Sequence, residues 1–377
     1  MNEKTILPPG KAKRYSLLKA WFSLLGILTT AVSPWVFWFF FSEPVFKFAG
    51  GLSVKAASVY AVYIFVFLFF VGLVSFPLQV VDSFIIERRY GLSSRGFASW
   101  MLDVVKASSL SMGFSIVSLA FFYASIYHFP GTWWLISVLA WAGFSVLMVF
   151  LSPLIIIPFF FKYLPLDPDV IKNKIMDLSK KTGIIVNDVC RVDLSKKTLK
   201  ANAALVGIGK TRKVILADTL TENFTPDEVE VVIAHEFGHH KGRHIMKLMV
   251  FSGFWAFLGF FLLFLFSGRV SNISGTSEMA DVRTLPVIFF LVCVYDILIL
   301  PLRNFYLRYL EKEADDFALD ITSRPGIFIA VMEKLASMNL ADCDPPFLRK
   351  IFLYTHPPIS ERIAMARRKP WKERLAE

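Results

Sequence analysis

The stretch VVIAHEFGHHKGRH, Val231 to His244, gathers four of the chain's six histidines within ten residues. Its centre is H-E-x-x-H. On a helix, His235 and His239 lie about 40° apart around the axis and face the same way. Two imidazoles so placed can bind Zn2+ through nitrogen. Glu236, one residue along, can reach a water activated by the metal and act as general base. His240 stands about 100° round the helix from His239, and His244 about opposite His235. Both read as structural or interfacial residues.

A hydrolytic zinc site keeps three protein ligands and leaves a fourth position open. The candidate third ligand lies in NFYLRYLEKEADDFALD, Asn304 to Asp320, a stretch predicted to be helical. Glu311 and Asp315 fall at i and i+4 on one face, while Glu313 points elsewhere. Glu311 would complete a His2Glu site, and Asp315 could orient a ligand histidine. Spacing alone leaves that reading level with a plainer one, a charged helix facing solvent.

These side chains need helices and a sheet to hold them. Thr225 caps the first helix, Pro226 opens it and Glu228 completes a capping box. That helix can run on into the apolar stretch that follows. Upstream, DPDVIKNKIMDLSKKTG reads as a helix capped by Asp167, opened by Pro168 and stopped by Gly183. CRVDL, ANAALVG and KVILA are short, apolar or β-branched, and read as strands.

The composition places this machinery at a membrane. Of 377 residues, 55% are hydrophobic and only 19% charged. Six apolar runs are long enough to span a bilayer: Leu17 to Phe41, Ala57 to Val81, Ala107 to Tyr127, Trp133 to Phe161, Leu248 to Phe266 and Leu285 to Leu302. The fourth contains Pro153 and Pro158, so it is either one kinked helix or a span with a re-entrant turn, and the count is six or seven. Asp82 and Asp296 lie in or beside these runs, where a carboxylate usually faces a partner or water; neither is assigned a catalytic role. The net charge of +11 gathers in Lys162 to Lys247, in the part beyond Arg303 and around Arg88 to Arg95. The positive-inside rule explains it without nucleic acid and puts those segments in the cytoplasm. Cys190, Cys293 and Cys343 form no C-x-x-C, which excludes a disulfide framework or a thiolate zinc cluster. The chain divides into a membrane part (1–161), a polar segment with H-E-x-x-H (162–247), two more spans (248–302) and a second polar segment (303–377).

H-E-x-x-H, a pair of spans and then E-x-x-A-D resembles the type 1 CAAX prenyl endopeptidase family, integral-membrane zinc metalloproteases related to the HtpX-type heat-shock proteases. ERRYGLS (Glu87 to Ser93) resembles the family's E-x-x-Y-G-F-N stretch. PLIIIPFFFKYLPL (Pro153 to Leu166) resembles its proline-broken span, and DLSKKTLKANAALVG (Asp193 to Gly207) its D-x-S-x-R-x-x-x-x-N-A-Y-x-x-G block. KVILADTL (Lys213 to Leu220) resembles the strand before the zinc helix, and THPPISERI (Thr355 to Ile363) the C-terminal H-P-x-x-x-x-R.

The resemblance implies a mostly α-helical polytopic membrane protein with a zincin-like α+β protease domain split around the last two spans. It implies one Zn2+ on His235, His239 and Glu311, with Glu236 as base and Asp315 behind a ligand. His356 and Arg362 would stabilise the oxyanion. Asn202, Ala203 and Ala204 would sit on the strand along which substrate lies extended. Ala204 and Ser93 replace the Tyr and Asn typical of eukaryotic members. With the short loops, this points to a compact bacterial inner-membrane member. The implied partner is a peptide or protein substrate, lipidated at a CAAX-like C-terminus or a misfolded membrane protein. The rival reading is an inactive membrane scaffold or transport protein that retains a zinc site. All three ligands and the base are present, which argues against it.

Overall fold

The structure, a computed structural model, describes residues 9–53, 55–166, 170–207 and 212–369. The first half is helical: α1 (Pro9–Phe40), α2 (Ser42–Leu52), α3 (Ala56–Val80), a π-turn at Val81–Ile85, α4 (Ile86–Arg89), α5 (Phe97–His128) and α6 (Trp133–Leu151). A second π-turn, Ser152–Ile156, leads into α7 (Ile157–Phe160).

The soluble elements follow. They are β1 (Tyr163–Pro165), α8 (Val170–Thr182), β2 (Asp188–Val192), β3 (Ala203–Val206), β4 (Lys213–Ala217), α9 (Asp218–Asn223) and α10 (Pro226–Lys241). After them come α11 (His244–Leu265), α12 (Ser267–Ser274), α13 (Leu285–Thr322), α14 (Pro325–Asn339), α15 (Phe347–Leu353) and α16 (Ile359–Arg368). The expected cap at Asp167 and Pro168 lies outside the described residues. The α8 helix does end before Gly183, whose φ of +70° suits glycine.

Among the described residues, six helices are long and apolar enough to cross a membrane: Gly10–Phe40, Ala56–Arg89, Phe97–His128, Trp133–Phe160, His244–Leu265 and Val282–Thr322. The fourth apolar run is therefore one helix. Its prolines are absorbed by the π-turn at Ser152–Ile156, and Tyr163 OH donates to the Pro153 carbonyl at 3.0 Å. Spans pack in sequence, α13 on α1, α1 on α3, α3 on α5, α5 on α6 and α6 on α11, and a thin α11–α13 contact closes the circuit. Among the described residues, spans across this ring share at most slight contacts.

An aromatic cluster that includes Phe37, Tyr63, Phe67, Tyr123 and Trp133 packs with Val282 and Leu285 at one end. At the other end sit the soluble elements, tied to the spans by polar contacts. Tyr15 OH donates to Glu87 at 2.6 Å, Lys200 pairs with Glu87 at 3.0 Å, and Ser93 donates to the Lys197 carbonyl at 2.7 Å. Asp82 is partnered there by Lys19 at 2.7 Å.

The soluble part has one core built from both polar segments. Ile175, Leu216, Val231, Ile233 and Phe237 pack with Leu319, Phe328, Val331 and Ala366, all nearly or fully buried. The sheet order is β1-β2-β4-β3, parallel only between β2 and β4, which leaves β3 at an edge. Sequence reading missed β1, because three residues ending in proline carry almost no strand pattern.

Six spans put both ends of the ring's helices in a fixed relation. Ser277 and Lys181, both exposed, then lie on opposite sides of the bilayer. Single cysteines at those two positions, in a chain whose native cysteines are replaced, are expected to react with an impermeant thiol reagent from opposite faces. Labelling from the same face would overturn the reading of His244–Leu265 as a span.

Candidate metal centre

The α10 helix begins as the sequence predicts. The Thr225 side chain accepts from the Glu228 amide and the Glu228 side chain accepts from the Thr225 amide, closing a capping box. One turn past the helix midpoint, α10 meets α13 almost backbone to backbone. A Cβ added at Gly238 would lie 2.8 Å from Ala314 Cα and 2.9 Å from its carbonyl oxygen. That closeness lets short side chains from the two helices converge.

His235 Nε2 and His239 Nε2 are 3.1 Å apart. Glu311 Oε2 is 3.3 Å from the first and Oε1 3.4 Å from the second. Three ligands at ordinary zinc distances on a tetrahedral face would stand about 3.3 Å apart, given Zn–N near 2.0–2.1 Å. Glu311 Oε2 is also buried with no hydrogen-bond partner, an orphan that a cation would satisfy. The three residues fit a metal ion.

Each ring is held from behind. His235 Nδ1 is 2.8 Å from Oδ1 of the fully buried Asp315. Arg362, also buried, grips Asp315 with two bonds, Nε to Oδ2 at 2.7 Å and Nη2 to Oδ1 at 2.5 Å. Burial alone would lower the His235 pKa, but Asp315 and Glu311 outweigh it and raise the value well above the ordinary imidazole range. The same field attracts a metal cation.

His239 lacks such a carboxylate. Burial, with repulsion from His235, pulls its pKa down to about 4, leaving it neutral and able to ligate. Its Nδ1 meets Nδ1 of His244 at 2.8 Å. Sequence reasoning placed His244 on the far side of a continuous helix. The helix instead stops at Lys241, Arg243 turns left-handed at φ 52°, and α11 starts afresh at His244. His240 takes no part in the cluster.

Glu236 lines a cavity of about 350 Å3, together with Asn202, Ala203, Val232, Met332, His356 and Arg362. Burial pushes the Glu236 pKa up to about 7, partly offset by His235. The Leu205 amide on β3 also favours its charged form. His356 stands over the site, Nε2 3.3 Å from Glu311 Oε1 and Nδ1 2.9 Å from the Thr355 hydroxyl. Although its ring is open to the cavity, the concave walls remove enough water to lower its pKa. Two side chains of α13 hold the end of α15 that leads to it. Arg308 donates to the carbonyls of Lys350 and Tyr354, and Asn304 to those of Ile351 and Phe352.

Arg362 lines the cavity, but two of its donors are committed to Asp315. On β3, Ala203 joins the cavity wall. Ala204, paired with Ile215, does not.

A ring of apolar helices joined to a polar body whose His–His–Glu cluster fits a metal ion describes an integral-membrane metalloprotein. The comparisons narrow this. Residues 165–369 match Peptidase family M48, and residues 10–162 match the CAAX prenyl protease N-terminal family, described by its five membrane helices. The chain belongs to peptidase family M48. This chain builds the N-terminal region from four long spans and the short α2.

Relatives include the uncharacterized metalloprotease YhfN of Bacillus subtilis, 28% identical over 81% of this chain and 72% of that protein. CAAX prenyl protease 1 of Saccharomyces cerevisiae is 26% identical over 77% of this chain and 68% of that protein. The crystal structure of S. mikatae Ste24p superposes with a TM-score of 0.85 at 22% identity, covering 94% of this chain and 88% of that one, which shows a shared fold.

Gly238 is the residue on which the geometry turns. Overpacking a filled contact costs about 1–3 kcal/mol. Gly238→Ala is therefore expected to lower both the thermal midpoint and the metal bound per chain. Wild-type values for both would show that the helices do not need this contact.

Proposed function

We propose that this chain is a zinc-dependent endopeptidase embedded in the membrane, with its site on the cytoplasmic side. The observation that carries the reading is that His235, His239 and Glu311 converge beside a cavity shared by Glu236 and the edge strand β3. The basic residues of both polar segments support the cytoplasmic placement. The likeness to CAAX prenyl protease 1 of Saccharomyces cerevisiae supports a peptide substrate with a lipidated, CAAX-like C-terminus. Misfolded membrane protein is the second substrate class.

In this reading His235, His239 and Glu311 hold the zinc. A zinc ion there supplies Lewis acidity, polarising the scissile carbonyl and making a water easier to deprotonate. Asp315, fixed by Arg362, keeps His235 oriented with Nε2 toward the site. Substrate pairs its backbone with the free edge of β3 near Asn202 and Ala203. Glu236 takes the proton of the attacking water and hands it to the leaving amine nitrogen. A group whose proton affinity lies near neutrality suits both transfers. His356 donates to the oxyanion that forms as the carbonyl carbon becomes tetrahedral, and the Arg362 charge adds to that stabilisation.

Purified wild type is expected to carry one zinc per chain and to cleave a farnesylated CAAX peptide or an unfolded membrane protein, the faster substrate identifying the class. Glu236→Gln should keep its zinc and lose at least about a hundredfold in turnover, while Glu311→Ala should lose both. Absence of zinc in wild type, or turnover indifferent to Glu236, would leave the inactive-scaffold reading. Arg308→Met frees the segment leading to His356, so metal content should hold while kcat falls. An unchanged kcat would show that this anchorage does not matter to the reaction.

A further inference from the structure

We infer that His244 and Glu313 are positioning residues for His239, forming a relay that fixes the ring and strengthens its hold on the metal. The inference rests on reading His239 as a ligand. His239 can offer Nε2 to a metal only if its single ring proton is on Nδ1. Nδ1–H must then donate to the nitrogen facing it, Nδ1 of His244 at 2.8 Å. His244 therefore carries its own proton on Nε2, and that nitrogen is 3.0 Å from Glu313 Oε2. Every donor meets an acceptor, and the polarity runs in one direction, from His239 to a carboxylate.

Glu313 is itself fixed. Lys247 donates to its Oε2 at 2.6 Å and Tyr309 OH to its Oε1 at 3.0 Å. His244 is 2% exposed, so the middle ring of the relay is shielded from competing water, while Glu313 is half-buried. His235 leans directly on Asp315, whereas His239 reaches its carboxylate through one more ring.

The backbone is shaped for this. The left-handed Arg243 turns the chain so that His244 swings back toward His239. A Cβ at Gly242 would lie 2.2 Å from His244 Nε2, so only glycine at 242 leaves room for the ring in this place. Glu313 belongs to α13, and His244 and Lys247 to α11. The relay thus joins one ligand to the first turn of the fifth span and to the helix that continues the sixth.

The test is the rate at which zinc-loaded protein gives up its metal to excess EDTA, read alongside the visible spectrum of the Co2+-substituted protein and the thermal midpoint. Removing a ligand's outer partner typically weakens metal binding about 10–100-fold. His244→Ala should release zinc about tenfold faster or more and shift the Co2+ bands. Glu313→Gln, which keeps shape and loses charge, should show a smaller change in the same direction and decides the matter if His244→Ala does not fold. Lys180→Met, which breaks an exposed ion pair with Asp177 on α8 and touches no part of the relay, should leave the release rate at wild type. Release from His244→Ala, or from Glu313→Gln where that variant must decide, as slow as from wild type overturns the relay while leaving the ligand reading intact. Wild type that binds no metal, or Glu311→Ala that binds like wild type, overturns the ligand reading and the relay with it.

Discussion

Side chains from two helices can share one small ion only if the helix backbones approach to the lower end of ordinary packing distances. Here that approach is set where Gly238 of α10 lies against Ala314 of α13, with no room for a methyl group between them. The other contacts build on it. The same crossing puts Glu311 one turn before Ala314 and Asp315 beside it, so one carboxylate reaches the ion's position and the next reaches the back of His235. Phe237 and Phe328, fully buried on either side of this junction, make the crossing part of the soluble core rather than a loose contact.

Three buried or half-buried carboxylates crowd this small volume, and their partners sort them into different tasks. Asp315 is neutralised by the bidentate Arg362 and can only orient. Glu311 faces the two imidazoles and has an orphan oxygen. Glu236 has neither cation nor ring hydrogen-bonded to it, so burial dominates and its proton affinity is the one displaced toward neutrality. A base that must both accept and release a proton needs that displacement, and a ligand or an orienting group does not. The division of labour follows from the partners each residue meets.

Much of this was legible because it is periodic. Residues 225 to 228 announce a helix start, and i, i+4 spacing places His235 with His239 and Glu311 with Asp315 whatever the surroundings. His244 was not legible, because its position depends on a non-glycine residue adopting positive φ after Gly242. An isolated glycine near the end of a helical pattern was the available signal. The commitment of Arg362 to Asp315 was also beyond reach, since the two lie on helices far apart in sequence and nothing local pairs them. The ambiguity of the fourth apolar run had a different origin. Two prolines five residues apart allow either a break or a widened turn, and the choice is made by Tyr163 satisfying the Pro153 carbonyl from outside the helix.

The continuity of α13 fixes how far the site stands from the end of the apolar run. Glu311 lies nine positions beyond Leu302, where the apolar run ends, a rise of about 13 Å at 1.5 Å per residue. An extended chain covers that distance in about four residues. A protein anchored in the surrounding bilayer can therefore present a bond to the site if at least that much chain is free beyond the anchor. A peptide cut immediately beside its lipid cannot do so with the lipid left outside. Its apolar group would have to pass between the spans and lie within their ring. The two proposed substrate classes thus place opposite demands on one scaffold. Free chain length governs one, and entry between helices the other.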